Sequence, residues 1–140
     1  MKHRVIAVAL IRNRKGEVLL CRKPKNIGVY PGQWALVGGG IEPEETMEAA
    51  LKREVREEAG LAITEIEPLY FTDTVADKYY ADGSKETIYM IYLVFDCVAM
   101  NGEIKLNEEF IESTWVKPEK LNNFDINQAC IKTFEMKGWM

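Results

Sequence analysis

The sequence predicts a single α+β domain, residues 1–140, built on a mixed β-sheet. Three observations support this fold class. Most of the chain consists of short apolar runs rich in Val, Ile and Tyr, which are typical of strands. Two stretches, 47–59 and 127–137, have instead the composition of helices. Because these helices do not alternate regularly with the strands, a purely parallel α/β sheet is not expected.

The predicted strands are bounded by Gly, Pro, Asn and Asp, which favour turns. They cover residues 4–13, 17–23, 34–37, 63–72, 87–100 and 114–117. Lys15 and Gly16 predict a hairpin turn between the first two strands. The run 87–100 is apolar almost throughout, so we expect it to be a central strand covered on both faces. Polar residues predict a loop over 73–86 and a tight turn at 101–102.

The best-defined predicted helix, 47–59, follows three glycines at 38–40. Thr46 is a good N-cap, because its hydroxyl can accept a hydrogen bond from a free backbone N–H. Gly60 fits the left-handed position that ends many helices. An apolar stripe that can face the core recurs at four-residue spacing, at Leu51, Val55 and Ala59.

The composition excludes several classes of protein. With 47% hydrophobic residues, the chain can bury a core, which disordered proteins cannot. The three cysteines form no CxxC pair, which disfavours a zinc site or a disulfide framework and indicates a reducing, cytoplasmic compartment. No run is long enough to span a membrane. The net charge of −4 disfavours nucleic-acid binding, which needs a basic surface.

The negative charge is concentrated in residues 42–58, which contain seven glutamates and three basic residues. Glu54, Glu57 and Glu58 are spaced i, i+3 and i+4, so they lie on one helix face within an arc of about 100°. Carboxylates this close repel one another, and their oxygens suit hard cations such as Mg²⁺ or Mn²⁺. The segment therefore predicts a metal site that substrate phosphates complete. A solvated helix face is the alternative interpretation of the charges.

The whole segment resembles the Nudix box, Gly-x5-Glu-x7-Arg-Glu-U-x-Glu-Glu-x-Gly-U, where U is a bulky aliphatic residue. The matching positions are Gly39, Glu45, Arg53, Glu54, Val55, Glu57, Glu58, Gly60 and Leu61. A surface helix rich in glutamate would explain the charges, but not the glycines, the arginine and the spacing together. The flanking strands and the C-terminal helix resemble the same family over nearly the whole chain.

This resemblance implies an α/β/α sandwich in which the catalytic helix follows a Gly-rich loop. It also implies hydrolysis of a nucleoside diphosphate derivative with Mg²⁺, for which Mn²⁺ can substitute. The implied metal ligands are the Gly39 carbonyl, Glu54, Glu57, Glu58 and a carboxylate from a later loop, Glu108 or Glu109. Glu54 or Glu57 would also take the proton of the attacking water. Glu45 and Arg53 would organise the catalytic segment.

Residues outside the box must select the substrate. Arg22 and Lys23 end a predicted strand and are candidates to bind a distal phosphate. Tyr79, in the predicted loop, is our candidate for stacking on a base. Further aromatic candidates are Tyr30, Trp34 and Tyr80. Surface charge and core packing are the alternative interpretations of these residues.

Six segments outside the box resemble one branch of the family, namely 31–36, 80–83, 88–93, 95–98, 107–110 and 115–119. This closer resemblance implies hydrolysis of pyrimidine deoxynucleoside triphosphates, namely dTTP, dUTP and dCTP, to the monophosphate and pyrophosphate. Oxidised purine nucleotides, nucleotide sugars and ADP-ribose are alternative substrates. A nucleotide-sensing module without catalysis is the alternative of another class. In every case the expected partner is a small nucleotide, bound by a monomer or a homodimer.

Overall fold

The computed structural model describes residues 1–100 and 102–140. Its strands are β1 (Lys2–Arg12), β2 (Val18–Arg22), β3 (Gly28–Val29), β4 (Trp34–Ala35), β5 (Val37–Gly40), β6 (Ile63–Tyr79), β7 (Lys85–Ala99) and β8 (Glu112–Val116). Its α-helices are α1 (Met47–Ala59) and α2 (Gln128–Met136), and a 3₁₀ turn covers Pro118–Asn123. The tight turn predicted at 101–102 includes residue 101, which lies outside the described residues.

Strand β1 lies at the centre of the sheet and makes it mixed. It pairs in parallel with β7 along its whole length and antiparallel with both β2 and β5. Leu10 and Ile11 point to opposite faces of this strand, and both are almost completely inaccessible to solvent. The sheet is therefore covered on both faces around β1. Its parallel and antiparallel pairings confirm the predicted α+β class with a mixed sheet.

The two helices cover opposite faces of the sheet. Gly39 of β5 pairs with Ala7 and lies against the side chains of α1. Asp96 of β7 pairs with Leu10, and its carboxylate accepts a hydrogen bond at 2.7 Å from Lys137, which caps the end of α2. Ala7 and Leu10 are three residues apart, so they face opposite sides of β1. This is the predicted α/β/α sandwich.

Helix α1 has the predicted limits and caps. The Thr46 hydroxyl accepts a hydrogen bond from the backbone N–H of Ala49 at 3.1 Å. Gly60 ends the helix with a left-handed φ of 68°. The apolar stripe of the helix is buried and packs towards β5 and β1. Within the described residues, neither this helix nor α2 is long and apolar enough to cross a membrane.

The predicted loop over 73–86 is wrong, because most of this segment is strand. Strand β6 continues to Tyr79, which pairs with Lys85 of β7, so only a short turn at 80–84 remains. The turn is closed by a bond from the Tyr80 N–H to the Ser84 carbonyl at 2.9 Å. The segment is polar because alternate residues of β6 face solvent, not because the backbone leaves the sheet.

The glycines at 38–40 also differ from the prediction, which placed them in a loop. They belong to β5, where Gly38 pairs with Val8 and Gly40 with Ile6. The predicted strand 34–37 is divided between β4 and β5 at Leu36. The loop before α1 is therefore the segment 41–46, and the glycines form an ordered strand edge beside the helix.

Candidate metal and diphosphate site

Strand β5 and helix α1 approach closely because Gly39 has no side chain. A Cβ at this position would overlap the carboxylate of Glu54. The φ angle of Gly39 is not in the left-handed region, so the glycine serves close approach and not an unusual backbone conformation. The backbone of β5, including the Gly39 carbonyl predicted to bind metal, is thereby held beside the glutamates of α1.

Glu58 is the most buried carboxylate of the helix, with only 5% of its surface exposed. Its Oε1 accepts a hydrogen bond from the Gly38 backbone N–H at 3.1 Å. Burial, with a contribution from the negative charge of Glu54, raises the pKa of Glu58 to about 8. The negative charge of Glu109 contributes to the same increase. A buried carboxylate with such neighbours favours either a proton or a cation.

Glu54 lies between the buried and the exposed parts of the site. Burial raises its pKa, and the charges of Glu57 and Glu109 act in the same direction. Arg53 opposes this shift, because its Nη1 donates a hydrogen bond to Glu54 Oε1 at 2.8 Å. Glu57 has 54% of its side chain exposed and accepts a bond from the same nitrogen at 3.3 Å.

Arg53 connects the loop, the strand and the helix. Its Nε and Nη2 donate to the two oxygens of Glu45, at 2.6 and 2.9 Å. Its Nη2 also donates to the Gly40 carbonyl at 3.0 Å. The hydrogen bonds from Arg53 lower the pKa of Glu45 to about 2, so this carboxylate remains ionised. This two-pronged geometry supports the predicted organising role of Arg53 and Glu45.

A cavity of about 490 Å³ opens beside these residues, a size typical of sites for small molecules. Glu54 and Glu58 lie in its wall, and so do Glu108 and Glu109, the predicted carboxylates from a later loop. The structure therefore brings four acidic side chains from two distant segments to one opening. Glu57 lies on the exposed side of the same helix, outside the lining of the cavity.

The predicted substrate residues have different locations. Lys23 lines the cavity, and its ammonium lies 3.8 Å from Glu109. Arg22 is not in the lining, since its guanidinium bonds the Gly32 carbonyl and Glu112. Tyr79 lines the cavity, although from the end of β6 and not from a loop.

Of the other aromatic candidates, two line the cavity and one does not. Tyr30 and Tyr80 line the cavity, and the Tyr80 hydroxyl donates to Glu86 at 2.8 Å. Trp34 packs edge-to-face on Phe124 with ring centroids 5.3 Å apart, and it is outside the lining.

Sequence reasoning missed Arg4, Tyr92 and Asn127, all of which line the cavity. Arg4 faces the cavity together with Ile6 and Val8, because alternate residues of β1 share one face. The same alternation in β7 places Tyr92 there. This period of two is visible in the sequence, but the face that lines a cavity depends on how the strands and helices pack.

The donor set of the site fits a hard divalent cation. Several carboxylates lie around one opening, and at least Glu54 and Glu58 are held there partly or fully buried. Among the residues described, no three acidic side chains are close enough to enclose a metal by themselves. Arg53 donates hydrogen bonds to both Glu54 and Glu57. Mg²⁺ tolerates such an incomplete cage, because it keeps waters and shares its shell with substrate phosphates.

Comparisons with known proteins agree with this geometry. The NUDIX domain model matches residues 1–135. The chain is 55% identical over 140 residues to the nucleoside triphosphatase NudI of Escherichia coli O1:K1 / APEC, with 99% of each chain covered. The crystal structure of the MutT protein from Methanosarcina mazei Go1 matches with a TM-score of 0.73 and 29% identity, over 99% of this chain and 93% of that one. The MutT NUDIX hydrolase from Burkholderia pseudomallei matches with a TM-score of 0.72 and 25% identity, over 97% and 98%. The chain therefore belongs to the Nudix family and is a Nudix hydrolase.

Proposed function

We propose that this enzyme hydrolyses nucleoside triphosphates to the monophosphate and pyrophosphate, with Mg²⁺ and with a preference for dTTP, dUTP and dCTP. The observation that carries the proposal is the group of carboxylates from α1 and the 108–109 loop at the mouth of a nucleotide-sized cavity. The identity of 55% to a protein named nucleoside triphosphatase supports the substrate class. The pyrimidine preference follows from the resemblance of segments outside the box.

The proposed metal ligands are the Gly39 carbonyl, Glu54, Glu57, Glu58 and Glu109. Bound there, Mg²⁺ or Mn²⁺ would neutralise phosphate charge and make a water molecule more acidic. The missing side chain of Gly39 lets the Glu54 carboxylate approach the backbone of β5. The Gly38 N–H fixes one oxygen of Glu58, which leaves its other oxygen available to a ligand.

The attacking water needs a base, and Glu54 and Glu57 are the candidates. Glu54 lies in the cavity wall, whereas Glu57 is exposed beside it. Both accept hydrogen bonds from Arg53, so the guanidinium can hold either carboxylate in position. Glu45 in turn fixes the guanidinium through two hydrogen bonds. Water adds to one phosphorus atom and the bridging oxygen leaves with pyrophosphate or with the monophosphate.

The rest of the cavity would hold the nucleoside. Ile88, Met90 and Val94 give it an apolar wall, and Tyr79 supplies an aromatic ring for a base. Lys23 is positioned to meet a phosphate, while Arg22 could reach one only by exchanging its bond to Glu112.

We propose that the protein acts in the cytoplasm, as a monomer or homodimer. The buried, free cysteines fit a reducing compartment.

A substrate panel tests the proposed function. Pyrophosphate release is followed with the four common deoxynucleoside triphosphates and dUTP, with Mg²⁺ and with a chelator. An oxidised purine nucleotide, a nucleotide sugar and ADP-ribose are included, with phosphate-ester products followed by chromatography. We expect the pyrimidine deoxynucleotides to be fastest and the chelator to abolish turnover. Equal rates with purines would refute the preference, and nucleotide binding without any hydrolysis would refute the activity. Hydrolysis in ¹⁸O-water identifies the phosphorus attacked.

A further inference from the structure

Arg4 is a cation in the cavity wall that has no opposing charge among the described residues. It extends from β1 and lies against Gly40 of β5. Among the described residues, no carboxylate lies within 4.0 Å of its guanidinium, and no side-chain hydrogen bond engages it. Arg12, by contrast, bonds Asp96. A half-buried guanidinium without an anion is an unfavourable arrangement that an anionic ligand would relieve.

Gly40 provides the space for this side chain. A Cβ at Gly40 would overlap Nη2 of Arg4, and the nearest three atoms that it would meet all belong to that guanidinium group. The φ angle of Gly40 is not left-handed, so the backbone does not require glycine there. The missing side chain of Gly40 therefore leaves room for the Arg4 guanidinium at the edge of β5.

The position of Arg4 indicates which part of a nucleotide it meets. Gly40 follows Gly39, whose carbonyl is a proposed metal ligand, and the Gly40 carbonyl bonds Arg53. Arg4 also lines the same cavity as Glu54 and Glu58 of the proposed metal site. The other cations in the cavity wall already have partners, since Lys23 lies near Glu109 and Lys78 lies over the Tyr80 ring. A guanidinium can bind two phosphate oxygens at once.

We propose that Arg4 is a further substrate-binding residue, whose guanidinium contacts the phosphate chain of the bound nucleotide at the strand edge opened by Gly40. This inference rests on the proposed function, because it assumes a polyphosphate in the cavity. It deepens that function by giving a basis for selecting triphosphates. The Arg4 guanidinium, which lacks a counter-charge among the described residues, would meet phosphate charge that the metal leaves uncompensated.

Binding of an uncleavable substrate analogue tests this role directly. The probe is dTTP with nitrogen bridging the α and β phosphorus atoms, titrated calorimetrically with Mg²⁺, and thymidine is titrated in parallel. We expect Arg4→Ala to weaken binding of the analogue by at least about tenfold, as for a lost hydrogen bond to a charged group. Binding of thymidine should not change. Arg14→Ala is the matched control, because the side chain of this arginine is 77% exposed and does not line the cavity.

Gly40→Ala provides a second, independent test. The added methyl group displaces the Arg4 guanidinium without removing its charge, so it should also weaken binding of the analogue. In the Arg4→Ala background the methyl group meets no guanidinium, and Gly40→Ala should have little further effect. If the two substitutions weaken binding of the analogue additively, the proposal is contradicted. It is also contradicted if Arg4→Ala weakens thymidine binding as much as analogue binding, or if the wild type binds the analogue and thymidine equally. Arg4-dependent binding without pyrophosphate release from any triphosphate would refute the proposed function and leave this inference standing.

Discussion

At the metal end of the cavity, almost all functional side chains come from one continuous segment, residues 39–58. The walls that would hold the nucleoside come instead from β1, β6, β7 and α2, which are far apart in the sequence. The first region is polar and tied together by Arg53, and the second is largely apolar. The difference indicates that the two regions have separate tasks. In the proposed function, the metal end would perform the hydrolysis and the walls would select the nucleotide.

The largest effect is expected from Glu57→Gln at the metal end. Loss of this carboxylate should reduce hydrolysis of every substrate by at least about 100-fold, whether it acts as ligand or as base. Folding should be unchanged, because 54% of the Glu57 side chain is exposed. Pyrophosphate release and urea unfolding measure the two properties. Glu48→Gln, on the same helix with 63% of its side chain exposed, is the control and should behave as wild type. Activity in Glu57→Gln would exclude Glu57 from the site.

Arg53→Lys should have the next largest effect. Lysine keeps the positive charge but cannot bond both oxygens of Glu45 and the Gly40 carbonyl together. Because Arg53 positions the glutamates, we expect kcat to fall about 10- to 100-fold, as for other residues that orient metal ligands. Arg56→Lys, an exposed change on the same helix, should be neutral. Equal kinetics of the two variants would show that the charge of Arg53 suffices.

Tyr79→Leu tests the wall with a smaller expected effect. Loss of aromatic stacking on the base should raise KM for dTTP about tenfold and leave kcat nearly unchanged. Tyr89→Leu is the matched control, because Tyr89 lies on the neighbouring strand outside the cavity and bonds Asp73. Steady-state kinetics with dTTP and dGTP separate these parameters. If both variants have wild-type KM, the base does not stack on Tyr79.

The smallest effect concerns the response of the metal end to pH. Burial and Glu54 raise the pKa of Glu58 from 4.5 to about 8, so folding favours its neutral form. Its contribution to stability is therefore complete below pH 4.5 and is lost as the pH rises towards 8. Glu45 behaves oppositely, because Arg53 lowers its pKa to about 2, and its contribution is lost as the pH falls towards that value.

Urea unfolding with a chelator measures this response. Between pH 4.5 and 8, the free energy of unfolding of wild type should fall relative to that of Glu58→Gln, which cannot ionise. Mg²⁺ should reduce the loss in wild type, since the cation favours the ionised carboxylate. Parallel curves for the two proteins would show that Glu58 does not titrate in this range.

The sequence predicts the metal end better than the walls, for a physical reason. The relation of Glu54, Glu57 and Glu58 depends only on the geometry of one helix, and Thr46 and Gly60 fix its ends. These local features were correctly predicted, although the catalytic roles of the glutamates stay predictions. The glycines were misplaced in a loop, because their close approach to Glu54 and Arg4 depends on neighbouring elements.

The walls depend on packing between distant strands, which local patterns do not specify. The polar composition of 73–86 favoured a loop, but pairing with β7 keeps this segment in the sheet as far as Tyr79. Arg4 was read only as the beginning of a strand. Its place in the cavity follows from the parallel pairing of β1 with β7 and from the missing side chain of Gly40. Neither the pairing of β1 with β7 nor the contact between Arg4 and Gly40 can be predicted from the local sequence.

The ratio of kcat/KM for dTTP to that for dGTP tests the division between the two regions most directly. It should be measured for wild type, Arg53→Lys and Tyr79→Leu under identical Mg²⁺ concentrations. We predict that Arg53→Lys lowers both values by the same factor and keeps the wild-type ratio, while Tyr79→Leu changes the ratio. A ratio altered by Arg53→Lys, or both values lowered equally by Tyr79→Leu, would contradict the separation of hydrolysis from nucleotide selection.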